Sequence, residues 1–329
     1  MILTMDDPNP GRSWLRCESS LRIQAALRIA VLLFVCIRAG AQEQSAAPAG
    51  TFTFCSYNLK NWLAMDRFDG EKTVSGASKP EDEKAAVVAI ITAIHPDVLG
   101  VCEIGGDSDL KDLQKRLADR GLKLPNWTVA HGGDTTRRLG LLTRFPITAT
   151  NHQTDLKYQI GELTMQFQRG ILDATVKITE NWSLRCMGVH LKSMRPVPEA
   201  DQALMRRNEA HLLRKHLDQV IAAAPGTGVV LYGDFNEHRN EAAIDEILGS
   251  AEGGAAMTEV KVWDRAGEVW THFWDAADSY ARIDYFFVSD PVRNHIDFKR
   301  SFVYSRREFY KASDHRPIVM NISVEPLEK

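Results

Sequence analysis

Six short segments of this chain each end an apolar run on a polar side chain that a buried strand has no use for. They are Ser56-Tyr57-Asn58, Gly100-Val101-Cys102-Glu103, Gly188-Val189-His190, Gly233-Asp234-Phe235-Asn236, Arg282-Ile283-Asp284-Tyr285 and Ser313-Asp314-His315. The runs leading into them are rich in β-branched residues, as buried strands are. Residues at the tips of parallel or mixed strands converge on one edge of a sheet, where layered α/β folds keep their active sites. Carboxylates, carboxamides and imidazoles gathered there suit a hard divalent cation and a phosphate ester.

The rest of the chain fits such a scaffold. Pro80 to Ile94 places acids in a first turn and apolar residues at helical spacing, and Leu110 to Arg120 reads as a second helix closed by Gly121. Asp201 to Ala224 reads as a long helix with Arg and Lys on a polar face. Strands are expected at 51–57, 98–102, 139–142, 147–151, 170–178, 184–189, 229–232, 283–288 and 318–324. Some follow in βαβ order and some in hairpin order. The expected class is therefore α/β (α+β), a four-layer sandwich of two mixed β-sheets flanked by helices, occupying residues 51–326.

The N-terminal stretch differs. Arg12, Arg16, Arg22 and Arg28 precede an apolar run from Ile29 to Ile37, and Ala39-Gly40-Ala41 follows. A basic region, short apolar core and small-x-small site predict a signal peptide over residues 1–41, cleaved after Ala41. Residues 42–50 then form a short Ala/Ser/Pro-rich linker. The apolar run is too short to cross about 30 Å of hydrocarbon, so no stable membrane anchor is expected after cleavage. The protein is thus expected to be exported, periplasmic or secreted. Residues 1–41 carry five Arg and three acids, so the remainder has 35 basic and 40 acidic residues, a net −5. That balance offers no general argument for nucleic acid, although a basic rim can surround an acidic centre. Cys55, Cys102 and Cys186 lie in apolar runs and read as buried small hydrophobes.

Asp234 and Asn236, two apart in extended chain, face the same side and could polarise and orient a water. Glu103, ending a wholly apolar run, is a good ligand for a hard cation. Asp284 among apolar residues needs a partner, either His315, whose ring it would orient, or the nearby Arg282. An imidazole beside an acid can stay cationic and meet phosphorane charge. His190, beside the other tips, reads as a phosphate-binding acid, and Arg169 could fork a phosphate. Arg137, Lys192 and Lys311 flank these motifs, with solvation the default for each.

Taken in order, Asn58, Glu103, Arg169, His190, Gly-Asp234-Phe-Asn236, Arg-Ile-Asp284-Tyr and Ser-Asp314-His315 resemble the endonuclease/exonuclease/phosphatase superfamily over roughly residues 51–324. The resemblance implies the four-layer sandwich and a Mg²⁺ or Mn²⁺ site centred on Glu103. Asn58, Asp234, Asn236 and Asp314 would line that site and its attacking water, with Asn58 also near the substrate phosphate. It further implies that Asp234 positions or deprotonates the water while Asn236 orients it. His315, supported by Asp284, and His190 would stabilise the phosphorane or protonate the leaving oxygen. One departure is Ile104-Gly105-Gly106 after Glu103, where family nucleases often place Gln, Thr or Arg.

The expected activity is divalent-metal-dependent phosphodiester hydrolysis by water, with nucleic acid as substrate and no protein partner. A phospholipid (sphingomyelinase-like) or small phosphate-ester substrate is the alternative, and a non-catalytic binding module a remote one. The sequence shows no aromatic-rich hairpin suited to membrane insertion, which weighs against the lipid. The region of Trp62, Trp270 and Trp274 is expected to pack in the core.

Overall fold

In the computed structural model, residues 50–249 and 256–327 are described. The signal-peptide expectation (1–41) and all but the last residue of the linker (42–50) lie outside them. The main strands are β1 (Thr51–Trp62), β2 (Val98–Ile104), β3 (Asn126–Ala130), β4 (Arg138–Thr143), β5 (Ile147–Thr150), β6 (Ile171–Lys177), β7 (Ser183–His190), β8 (Gly228–Asp234), β9 (Met257–Glu259), β10 (Asp284–Ser289), β11 (Ile296–Val303) and β12 (Ile318–Ser323). They build two six-stranded sheets, ordered β11-β12-β1-β2-β4-β3 and β9-β10-β8-β7-β6-β5.

Each sheet has one parallel pair at its centre, β1 with β2 and β7 with β8. Parallel neighbours need a crossover. Helix α1 (Glu81–Ile94) bridges the first pair, α2 (Asp107–Asp119) follows it, and α3 (Gln202–Ala223) bridges the second, with α4 (Ala242–Leu248) after it. Acids in the first turn of α1 and the Asp201 cap on α3, whose Oδ1 accepts from Leu204 N at 2.9 Å, favour these helix starts.

Three apolar layers hold the stack together. Phe52, Phe54, Leu172, Val230, Tyr232 and Phe286 form the layer between the sheets. Tyr57, Leu59 and Val101 turn the other way, onto Val87, Ile91 and Leu113 of α1 and α2. Val189, Leu231 and Phe287 likewise meet Leu213, Leu217 and Ile244 of α3 and α4. Both faces of the central strands are covered, which explains their continuous apolar runs. The result is the four-layer sandwich. The sheets come close enough at Gly100 that a Cβ there would lie 2.0 Å from the Tyr232 ring.

Some local features depart from expectation. On α3, Arg206, Glu209, Arg214 and His216 are buried rather than forming a solvated face. Three short hairpins escaped the sequence pattern, namely Met65–Phe68 with Thr73–Ala77, Lys157–Ile160 with Leu163–Gln166, and His272–Trp274 with Ser279–Ala281. The last carries Phe273, Trp274 and Tyr280, so an aromatic hairpin does exist. Trp62 is buried and Trp270 partly so, but Trp274 is 58% exposed. Among the described residues no helix is long and apolar enough to cross a membrane.

Candidate active site

Strand register brings the six tips together. Asn58 lies opposite Cys102, which puts Glu103 one residue beyond it. His190 lies beside Asp234 in the parallel pair, and Asp234 lies opposite Asp284. Strand β12 runs antiparallel to β1, with Ile318 opposite Ser56, so the preceding Asp314-His315 reaches the same edge. Lys60, Asn61, Glu103 and Asn236 all have positive φ, between 48° and 60°. Such backbone is costly for non-glycine residues and clusters where side chains must be aimed.

The side chains at this edge touch. Asn58 Nδ2 donates to Asp234 Oδ2 at 3.1 Å and to Glu103 Oε1 at 3.4 Å. Asn61 N donates to Glu103 Oε2 at 2.9 Å, and Asn236 N to Asp234 Oδ1 at 2.9 Å. His315 Nδ1 donates to Asp284 Oδ2 at 2.8 Å, while its Nε2 lies 3.7 Å from Asp234 Oδ2. Arg282 pairs with Glu259, which leaves Asp284 to the imidazole. His190 Nε2 lies 3.5 Å from the same Asp234 oxygen. Ser313 Oγ donates to Asn58 O at 2.8 Å and lies 3.4 Å from Asp314 Oδ1, tying the Asp314 segment to the end of β1.

Charge is divided unevenly between the two imidazoles. Burial alone would lower His315, but Asp284 and Asp234 overcome it and raise it to about 10. Burial raises Asp234 to about 7, opposed by His315 and reinforced by Asp284 and Glu103. His190 is pushed well below the ordinary imidazole value by burial and by Arg169, His315 and Arg137. It is therefore held neutral, and the acid role expected of it opposes its surroundings, whereas His315 carries a proton.

Arg169 also differs from expectation. Its Nε donates to His190 O at 3.0 Å and its Nη2 to Leu191 O at 2.6 Å. That edge of the guanidinium braces the His190 turn and is not free to fork a phosphate. Asn236 Nδ2 donates to Leu191 O at 3.1 Å, and Glu209 Oε2 accepts from Lys192 N at 2.6 Å, so the same turn is gripped from three sides. Glu209 was missed from sequence. Its signal was an acid on the α3 face that also carries Ala210 and Leu213. Thr271 was missed too; its Oγ1 accepts from Asp284 N at 3.1 Å.

The donor set fits a hard divalent cation. Glu103 and Asp234 both offer carboxylate oxygens to the Asn58 carboxamide, and Asp314 lies just before β12. Ligand atoms of Asp234, Asp284 and His315 also lie within 4.8 Å of one another. A protonated imidazole offers a metal no lone pair, so the Glu103 side of Asp234 is the better place for a cation.

The family model described as Endonuclease/Exonuclease/phosphatase family matches residues 74–315. In fold the chain is similar to the endonuclease/exonuclease/phosphatase from Bacteroides vulgatus, with a TM-score of 0.60 and 17% identity over 84% of this chain and 99% of that one. It is also similar to the human Nocturnin catalytic domain with bound sulfate anion, with a TM-score of 0.57 and 15% identity over 84% and 96%. Truncated Caenorhabditis elegans TDP2 gives 0.54 and 16% over 83% and 97%. No curated protein sequence matches the chain.

Proposed function

The chain belongs to the endonuclease/exonuclease/phosphatase family of metal-dependent phosphoesterases, and on that premise we propose that it is an exported phosphodiesterase that hydrolyses nucleic acid. The observation that carries this reading is the single oxygen Asp234 Oδ2, which meets Asn58 on one side and faces the cationic His315 on the other. A base and a charge-stabilising cation thus converge on one point.

A Mg²⁺ or Mn²⁺ ion, held by Glu103, Asn58 and Asp314, would supply Lewis-acid stabilisation of phosphate oxygens. Asp234 accepts the proton of the attacking water. Asn236 is held by its own backbone N–H and by its Nδ2 bond to Leu191, which leaves its side-chain oxygen to orient that water. His315, fixed by Asp284, presents Nε2–H to the charge that builds on the phosphorane. His190 acts as a neutral N–H donor.

Lys60, Arg137 and Arg169 around the acidic centre support a polyanionic substrate. A phospholipid is the second reading, favoured by the exposed aromatic hairpin, whose turn carries Asp275 and Asp278. Export rests on the basic leader and Ala39-Gly40-Ala41, and the mass of the chain recovered from the expressing cell's exterior checks it. The substrate test sets EDTA-treated protein, then Mg²⁺ or Mn²⁺, against supercoiled DNA, RNA, sphingomyelin and bis-p-nitrophenyl phosphate. Strand cleavage that returns with metal and is absent in Asp234→Ala is expected. Lipid turnover without strand cleavage would move the substrate, and silence on all four contradicts the reading.

A further inference from the structure

Two hairpins rise from the candidate site, one on each side of β1. The first, Met65–Phe68 with Thr73–Ala77, is fastened to the Glu103 side. Arg67 Nη2 donates to Asn61 O at 2.6 Å, and Asn61 N binds Glu103. A cavity of about 450 Å³ opens beneath this hairpin, lined by Asn61, Met65, Arg67, Phe68, Val74 and Pro80 among others. Phe68 at its wall is 70% exposed.

The second hairpin, His272–Trp274 with Ser279–Ala281, is fastened to the β12 side. His272 pairs with His315 as an isolated bridge, their rings 4.6 Å apart, and Phe273 N donates to Asp314 O at 2.9 Å. Alternate residues of a strand share a face. Trp274 therefore stands on the face that His272 turns to His315, one step farther out. Phe273 and Tyr280 occupy the other face, 4.7 Å apart, with Tyr280 also 4.7 Å from Trp270. Those rings brace the hairpin, while among the described residues Trp274 enters no ring pair.

Charge is arranged to match. Lys60 is exposed at the centre, and Arg137 Nε donates to Asn61 Oδ1 at 2.8 Å. The hairpins are net acidic: the first carries Asp66, Asp69 and Glu71 against Arg67 and Lys72, and the second carries Asp275 and Asp278. Phosphates are therefore better placed beside Lys60 and Arg137 than on the net-acidic hairpins, which carry the exposed rings. Only unpaired bases offer free faces to such rings, since those of a duplex are stacked on each other.

We propose that Phe68 and Trp274 are base-stacking walls on the two sides of the scissile phosphodiester, so that the preferred substrate is an unpaired nucleic-acid strand. This rests on the nuclease reading above. Stacking is sequence-tolerant and favourable for every base, so the site discriminates strandedness rather than sequence.

The test is equilibrium binding by fluorescence anisotropy, using the full chain in an Asp234→Ala background with Mg²⁺. The probes are labelled oligodeoxythymidylate and an abasic strand of equal length. We expect oligodeoxythymidylate to bind at least about tenfold tighter than the abasic strand, and Phe68→Ala and Trp274→Ala each to weaken it about fivefold or more. Affinity for the abasic strand should stay within about twofold. Equal affinity for both strands, or no loss in either variant, overturns the proposal. Trp274-dependent sedimentation with phosphatidylcholine–phosphatidylserine vesicles, without base dependence, also overturns it, in favour of a lipid surface. Cleavage by the otherwise native chain is scored separately. Cleavage without base dependence removes the walls and leaves the nuclease, whereas base-dependent binding without cleavage does the reverse.

Discussion

His315 keeps its proton because Asp284 and Asp234 outweigh the cost of burying it, and the pH profile should report this. The imidazole, at about 10, stays cationic well into the alkaline range. On the proposed reading Asp234, at about 7, can take the water's proton only as pH rises through that value. kcat/KM should therefore climb through about pH 7 and hold until about 10, with added cation drawing the acid limb lower. In Asp284→Asn the largest attraction on the imidazole is gone, so the alkaline limb should fall toward the ordinary value of about 6.5. Asp234→Asn should cost about 10²- to 10⁴-fold in kcat, the usual worth of a positioned base. The need of Asp284 for a partner was legible in sequence, with His315 and Arg282 as candidates, and the structure gives it His315. The task of Arg169 was not legible. Its carbonyl partners belong to the backbone of a strand a hairpin away, and no side-chain pattern announces them.

Elements hold these residues where the chemistry needs them, and two positions expose the dependence. Gly100 of β2 admits the Tyr232 ring, and an added Cβ would stand 2.0 Å from it, so Gly100→Ala should destabilise the fold by about 1–3 kcal/mol, seen as a lower Tm. Glu209 of α3 is raised by burial to about 7, against the pull of Arg169, Lys192 and Arg206. A raised carboxyl stabilises fully below its unfolded value of 4.5, and that contribution is lost as pH rises through about 7. The loss is on the order of 3 kcal/mol, and Glu209→Gln should abolish it in denaturant melts compared between pH 5 and pH 8. The long apolar strands and three main helices were readable because each buries a continuous face. Strands of three to five residues in the hairpins bury little, so their sequences carry no such pattern.

Across the whole molecule, the two sheets share one logic. Each centres on a parallel pair whose carboxyl ends deliver two polar residues, Asn58 and Glu103 from one and His190 and Asp234 from the other. Antiparallel neighbours add Asp284 and His315 at the same edge, so the site exists only when the sheets are packed face to face. The ordered motifs made that convergence legible, whereas the walls above it, built from short exposed strands, became visible only in three dimensions. The most direct test is the Mg²⁺ dependence of bis-p-nitrophenyl phosphate hydrolysis in the native chain and in Glu103→Gln. The account predicts activity that EDTA abolishes and Mg²⁺ restores, with the half-saturating Mg²⁺ concentration raised at least about tenfold in the variant. Hydrolysis that survives EDTA, or a Glu103→Gln chain with an unchanged metal requirement, would contradict it.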